Sequence, residues 1–159
     1  MMDFNREEKQ YSIGHYDLRP WGCWVVTGIS TPAETGFCEK IICVAPGKIL
    51  SLQSHSLRHE SWTVLAGSLR VIIDDKSLVL TPGQQVDVPK GAVHCMANTG
   101  SELCIVKERQ TGICLESDIV RYMDAYGRAS GERKRQAIPG ISLYLDLLEQ
   151  IEGEQKLYA

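Results

Sequence analysis

The stretch Pro46–Gly67, PGKILSLQSHSLRHESWTVLAG, carries two of the four histidines of the chain. Gln53 and His55 stand two apart, and on a strand the side chains at i and i+2 point to the same face. Both therefore reach one interior if ILSLQSH is a strand. Ser56, Leu57, Arg58 and His59 suit a tight turn, which places Arg58 beside the polar cluster at a barrel mouth. Glu60 then opens the next strand and faces the same interior across the hairpin. His59 is one residue off that phase and points away.

Outward from this stretch the chain is punctuated as strands. Short runs rich in Val, Ile, Leu and Thr alternate with turns at Gly67, Asp74–Asp75, Pro82–Gly83, Pro89–Gly91 and Thr99–Gly100. That rhythm indicates an all-β sandwich or small barrel, and nothing between residues 37 and 115 keeps a helical period. Residues 1–15 form a polar N-terminal extension, 16–128 the barrel domain, and 129–159 a charged linker and C-terminal helix. The segment GRASGERKRQA, 127–137, is the charged link. The stripe Leu147, Leu148, Ile151 predicts a short helix from about 141 to 152, docking on the barrel or on a second subunit.

Composition limits the function classes. A chain of 159 residues, 43% hydrophobic and 23% charged, suits one globular domain with a sizeable core. A net charge of −3 gives no bulk electrostatic case for nucleic acid or an anionic membrane surface. The opening MMDFNREEKQ has no apolar stretch of a signal peptide, and no apolar run reaches spanning length, so the expected compartment is the cytoplasm. Six cysteines, at 23, 38, 43, 95, 104 and 114, form no C-x-x-C pair. Most sit in apolar runs and read as core thiols of a reducing compartment.

Spacing carries a resemblance. From Gly47 the chain reads G-x5-Q-x-H-x4-E-x6-G, and from Gly83 it reads G-x5-P-x-G-x2-H-x3-N, ending at Asn98. These resemble the two motifs of the cupin superfamily, with Gln53 where histidine is usual. The resemblance implies a double-stranded β-helix, the cupin jelly-roll barrel, with a metal held by Gln53, His55, Glu60 and His94. Two imidazoles, one carboxylate and one amide oxygen suit a divalent ion, zinc first, with manganese, iron, cobalt and nickel as alternatives.

Flanking segments narrow the resemblance. RPWG at 19–22, VPKGAVHCMANTG at 88–100 and DIVRYMDAYGR at 118–128 occur in order around the quoted stretch. Together they resemble the type II mannose-6-phosphate isomerase cupin family. In that family the module often follows a mannose-1-phosphate guanylyltransferase domain, for which 159 residues leave no room. The resemblance implies a stand-alone isomerase that interconverts mannose 6-phosphate and fructose 6-phosphate, with a sugar phosphate as its small-molecule partner. It also implies a homodimer. Arg58, Lys40, Glu108 and Arg121 are the catalytic candidates. Arg19, Gln110, Asp124, Tyr126 and Arg128 are candidates for substrate contact, and Trp21 either faces the substrate beside Arg19 or lids the core.

Three positions depart from the family pattern: Leu57 and Ser61 stand where it carries histidine near the mouth, and Ile41 where arginine is common. Lys107 and Arg109 interrupt a strand that is normally apolar on one face. A non-catalytic or regulatory cupin binding a sugar or sugar phosphate is the second reading. An iron dioxygenase is the third; those more often use three or four histidines.

Overall fold

The computed structural model describes residues 11–30, 36–126 and 138–157. Its strands are β1 (Tyr16–Arg19), β2 (Gly22–Ile29), β3 (Gly36–Val44), β4 (Lys48–Ile49), β5 (Leu52–Ser54) and β6 (Arg58–Ala66). There follow β7 (Leu69–Ile73), β8 (Lys76–Leu80), β9 (Gln85–Val88), β10 (His94–Asn98), β11 (Cys104–Gly112) and β12 (Val120–Met123), then the helix α1 (Ile141–Leu157). One sheet runs β1-β2-β3-β11-β6-β9 and the other β12-β5-β10-β7-β8, with β4 also on β10. All pairings are antiparallel.

Alternation decides what lies between the sheets. On β3, β6 and β11 every second residue is buried, the period of a strand with one face inward. Val44, Val64, Cys104 and Val106 fill one end of the inner face and pack with Leu69, Val71 and Met96 of the other sheet. Towards the other end the same rows turn polar: Lys40 on β3, Arg58 and Glu60 on β6, Glu108 and Gln110 on β11, all buried. Register places Glu108 between Lys40 and Trp62, and Gln110 between Cys38 and Glu60. The barrel is therefore an apolar plug at one end and a polar cavity at the other.

Two glycines mark close approaches. Gly22 has φ 151°, and a Cβ there would lie 1.9 Å from the Cys43 carbonyl oxygen. Gly140 has φ 76°, and a Cβ there would lie 2.6 Å from the Asp74 carbonyl oxygen. Its N–H donates to Asp75 Oδ1 at 2.9 Å, tying the start of α1 to the β7–β8 turn. From there Tyr144, Leu147 and Ile151 cover Ile49, Leu52, Ile72, Val93, Cys95 and Ala97 on the outer face of the second sheet.

Several expectations are corrected. Arg58 is not in a turn: β6 begins with it, and its side chain points inward and is 5% exposed. β5 and β6 are not a hairpin; they belong to different sheets, and residues 55–57 cross between them. The helix runs to Leu157 rather than stopping at about 152, and it docks on its own barrel. The extension contributes to the fold from Tyr11, which is 5% exposed and packs in the core. Ser61 and Ile41 sit on the outer phase of their strands, opposite Arg109 and Lys107 of β11, so neither borders the cavity. Lys107 and Arg109 are likewise outward, and Arg109 pairs with Glu39 at 2.6 Å over the Phe37 ring. Leu57 alone of the departing positions is at the rim, 40% exposed. All six cysteines are free thiols. Arg128 and the charged link 127–137 lie outside the described residues.

Candidate metal centre

The second sheet brings Gln53, His55 and His94 together, because Gln53 is the register partner of His94 and His55 follows directly on β5. The first sheet supplies Glu60 from the facing strand β6. One ligand atom from each of His55, Glu60 and His94 falls within 4.8 Å of the others, and all three residues are buried. His55 Nε2 lies 3.2 Å from Glu60 Oε1, and His94 Nε2 lies 3.7 Å from Glu60 Oε2. A tetrahedral ion bound at about 2.1 Å by each donor spaces its donors about 3.4 Å apart, between these two distances.

The protonation states suit a metal. His55 Nδ1 donates to the Asp118 carbonyl at 2.6 Å and His94 Nδ1 to the Ala92 carbonyl at 3.0 Å. Each ring thus turns a bare Nε2 towards Glu60, as ligating imidazoles do. Burial lowers both rings, His55 to about 4 even against the pull of Glu60, so both are neutral near pH 7. Burial works against the Glu60 charge, but His94, Arg58 and His55 outweigh it and hold the carboxyl below the usual range. His94 Nε2 is buried with no hydrogen-bond partner among the described residues. A buried polar atom left unpaired is costly, and an ion would satisfy it.

Two neighbours complicate the donor set. Arg58 donates through Nε to Glu60 Oε1 at 2.9 Å, through Nη1 to the Leu115 carbonyl at 2.8 Å, and approaches His55 Nε2 through Nη2 at 3.2 Å. The guanidinium thus shares the lone pair that an ion needs. Gln53 turns its amide nitrogen to His55 Nε2 at 3.2 Å while its oxygen accepts from Ser51 Oγ at 2.6 Å. Ligation by Gln53 requires the amide to turn over, which the Ser51 hydroxyl permits by donating or accepting.

The cavity above these residues encloses about 80 Å³ and is lined by Arg19, Trp21, Trp24, Lys40, Glu108, Arg121 and others. Burial and the nearby Glu60 charge raise the Glu108 carboxyl to about 7, although Lys40 and Arg58 pull the other way, and Gln110 Nε2 donates to it at 2.6 Å. Lys40 Nζ donates to Tyr11 Oη at 2.8 Å and to Glu116 Oε1 at 3.0 Å, and lies 4.0 Å and 4.2 Å from the Tyr11 and Trp24 ring centres. Tyr11 Oη also donates to Glu116 Oε1. Arg19 pairs with Asp17 at 2.8 Å and reaches Glu116 at 3.8 Å.

The sequence of the family described as "Mannose-6-phosphate isomerase C-terminal" matches residues 5–124. The chain belongs to that family. A mannose-1-phosphate guanylyltransferase of Escherichia coli is 42% identical over 124 residues, covering 77% of this chain and 25% of that protein. The alginate biosynthesis protein AlgA of Pseudomonas aeruginosa is 36% identical over 140 residues, covering 87% of this chain and 28% of the relative. The chain thus spans about a quarter of the length of these curated relatives. Among solved structures, an oxalate decarboxylase of Lactobacillus farciminis has a TM-score of 0.58 at 17% identity, over 68% of this chain and 33% of that one. The cupin domain of Schizosaccharomyces pombe Cnp3 has a TM-score of 0.53 at 14% identity, over 57% and 64%. At such identities the likeness concerns the fold, and that fold is the cupin barrel.

Within this mannose-6-phosphate isomerase-type cupin, the candidates chosen from sequence divide clearly. His55, Glu60 and His94 converge, with Gln53 beside them. Arg58, Lys40, Glu108, Gln110, Arg121 and Arg19 border the same cavity. Asp124 and Tyr126 do not: Tyr126 packs against the inner core, and Asp124 lies close enough to Tyr144 under α1 to perturb its hydroxyl. His59 faces outward, 4.0 Å from Asp87. Sequence reading missed Trp62, whose Nε1 donates to Glu60 Oε2 at 3.0 Å, although its i+2 phase from Glu60 pointed there. It also missed Tyr11, Glu116 and Trp24 around Lys40; a bond between residues 105 apart leaves no trace in local pattern.

Proposed function

We propose that the chain is a divalent-metal-dependent isomerase of aldose and ketose phosphates, of the mannose 6-phosphate/fructose 6-phosphate type, with zinc as the first candidate ion. The observation that carries this reading is Glu108. A buried carboxyl raised to about 7 borders the same cavity as the His55, Glu60 and His94 cluster. A proton shuttle works best with its pKa near the working pH.

Isomerisation moves the C2 proton to C1 and the O2 proton to O1, leaving an aldehyde at C1 reduced and the alcohol at C2 oxidised within one molecule. In this reading Glu108 takes the proton from C2, trades it in part with solvent, and delivers a proton to C1. Lys40 and Arg58 favour the carboxylate form that starts and ends each turnover. An ion on His55, Glu60 and His94 would supply Lewis-acid stabilisation of charge on the sugar oxygens. A cavity of about 80 Å³ takes the reacting end of the sugar, while Arg19 and Arg121 at its wall hold the phosphate as planar bidentate donors. Trp21 and Trp24, both buried, keep water from the reacting carbons.

The test is exchange at C2. Zinc-loaded protein incubated with mannose 6-phosphate in deuterium oxide should wash the C2 hydrogen into solvent and form fructose 6-phosphate, read by proton NMR, and Glu108→Gln should abolish both. A second reading, a sugar-phosphate-binding cupin without turnover, is favoured by the contact of Arg58 Nη2 on His55 Nε2, which opposes metal. Thermal stabilisation by mannose 6-phosphate with no C2 exchange would select it.

A further inference from the structure

The two histidines are oriented by different means. His94 Nδ1 is held by Ala92, two residues away in the same strand approach. His55 Nδ1 is held by the carbonyl of Asp118, 63 residues away in sequence. A partner that distant orients the ring only if something ties its segment to the ligand's own loop.

The Asp118 side chain is that tie. Its Oδ1 accepts from the Ser56 backbone N–H at 3.1 Å and from Ser56 Oγ at 2.9 Å, and its Oδ2 accepts from the Leu57 N–H at 2.9 Å. These donors belong to the two residues that follow His55. The same short segment sends the Leu115 carbonyl to Arg58 at 2.8 Å and the Glu116 carboxylate to Lys40 at 3.0 Å. The Asp118 N–H closes the segment on Leu115 O at 3.2 Å. One face of the cavity is thus set by residues 115–118, and Asp118 is where they are fastened to the ligand loop.

We propose that Asp118 is a positioning residue for His55: its carboxylate pins residues 56 and 57, so that its carbonyl holds the imidazole in the tautomer that leaves Nε2 bare. The geometry stands alone, and the consequence for metal affinity rests on the metal-centre reading above. Outer hydrogen-bond partners of ligating histidines typically contribute 10- to 100-fold in affinity, and the choice of protonated nitrogen follows the bond that the other nitrogen makes.

Two readouts test this in the whole protein with Asp118→Ala and Ser56→Ala. Long-range proton–nitrogen NMR of the metal-free, nitrogen-15-labelled protein should show both His55 and His94 as Nδ1–H tautomers. Asp118→Ala should leave His94 unchanged and convert His55 to a mixture. Competition against a chromogenic chelator should show the zinc dissociation constant raised about 10- to 100-fold. Ser56→Ala, which loses one of the three bonds, should fall short of that. A single unchanged His55 tautomer in Asp118→Ala overturns the proposal, as does equal disturbance of His94. If Asp118→Ala does not fold, Asp118→Asn, which keeps one acceptor oxygen for Ser56, decides the matter by the same readouts. A wild-type protein that binds no zinc overturns the metal reading, and the His55 tautomer then still decides the role of Asp118.

Discussion

Replacing Glu108 by glutamine should stabilise the metal-free protein by an amount that grows from about pH 4.5 to about pH 7 and is full above it. Glu108 is 6% exposed. The charged groups facing it are Lys40 from β3 and Arg58 and Glu60 from β6, and burial together with Glu60 lifts it from 4.5 to about 7. A carboxyl whose folded value is raised binds its proton more tightly when folded. Below about pH 4.5 it is protonated in both states and contributes nothing. Between about 4.5 and 7 the unfolded chain ionises and the folded one does not, so stability falls with rising pH. Above about 7 the whole penalty is present, about 3 kcal/mol at about 1.4 kcal/mol per pH unit. Glutamine keeps the acceptor oxygen for Gln110 and never ionises. Urea unfolding followed by tryptophan fluorescence should therefore give equal midpoints at pH 4.5, and at pH 8.5 a variant more stable by about 3 kcal/mol. A difference that does not vary with pH, or a variant weaker at pH 8.5, refutes the reasoning and removes the support for Glu108 as proton shuttle.

Other outcomes follow from the same geometry. His94→Ala should raise the zinc dissociation constant by more than roughly 100-fold, above what an outer partner contributes, whereas His59→Ala should leave it within about twofold; isothermal titration reads both. Trp62→Phe removes the donor to Glu60 Oε2 and should cost about 2 kcal/mol in urea unfolding, the usual loss of a buried hydrogen bond to a charge. Gly22→Ala meets the Cys43 carbonyl at 1.9 Å with φ 151° and should cost about 3 kcal/mol or more, visible as a lowered Tm by circular dichroism.

The barrel was legible because its cues are local. Period-two burial, glycines at tight turns and the spacing from Gly47 to Gly67 each concern neighbours along the chain. The same phase rule turned His55 and Glu60 inward and set His59 aside, while His94 came from the resemblance to the second cupin motif. It failed at Arg58, because a Ser-Leu-Arg-His run resembles turn chemistry, whereas the inward pull of Glu60, two residues on, makes Arg58 the first strand residue. A departure from the family pattern suggested the mouth for Ser61, although strand phase turns it outward, opposite Arg109. Asp124 and Tyr126 were chosen from a segment whose first half, Asp118 to Arg121, does border the site. Where the chain bends away after β12 depends on packing under α1, which no local pattern carries. The Lys40 cage depends on Tyr11 and Glu116, far apart in sequence.

The cluster draws its donors from both layers, Glu60 from one sheet and His55 and His94 from the other. At the plugged end Val44, Val64, Val71 and their neighbours hold the layers together by contact alone. At the open end charged and polar groups face one another, and apolar adhesion is weak. An ion there would act as a rivet through both plates, and by mass action its stabilisation would grow with the logarithm of its concentration over its dissociation constant. Removing it should loosen that end first, so amide exchange on β5, β10 and the start of β6 should quicken on chelation while the amides around Val106 stay protected.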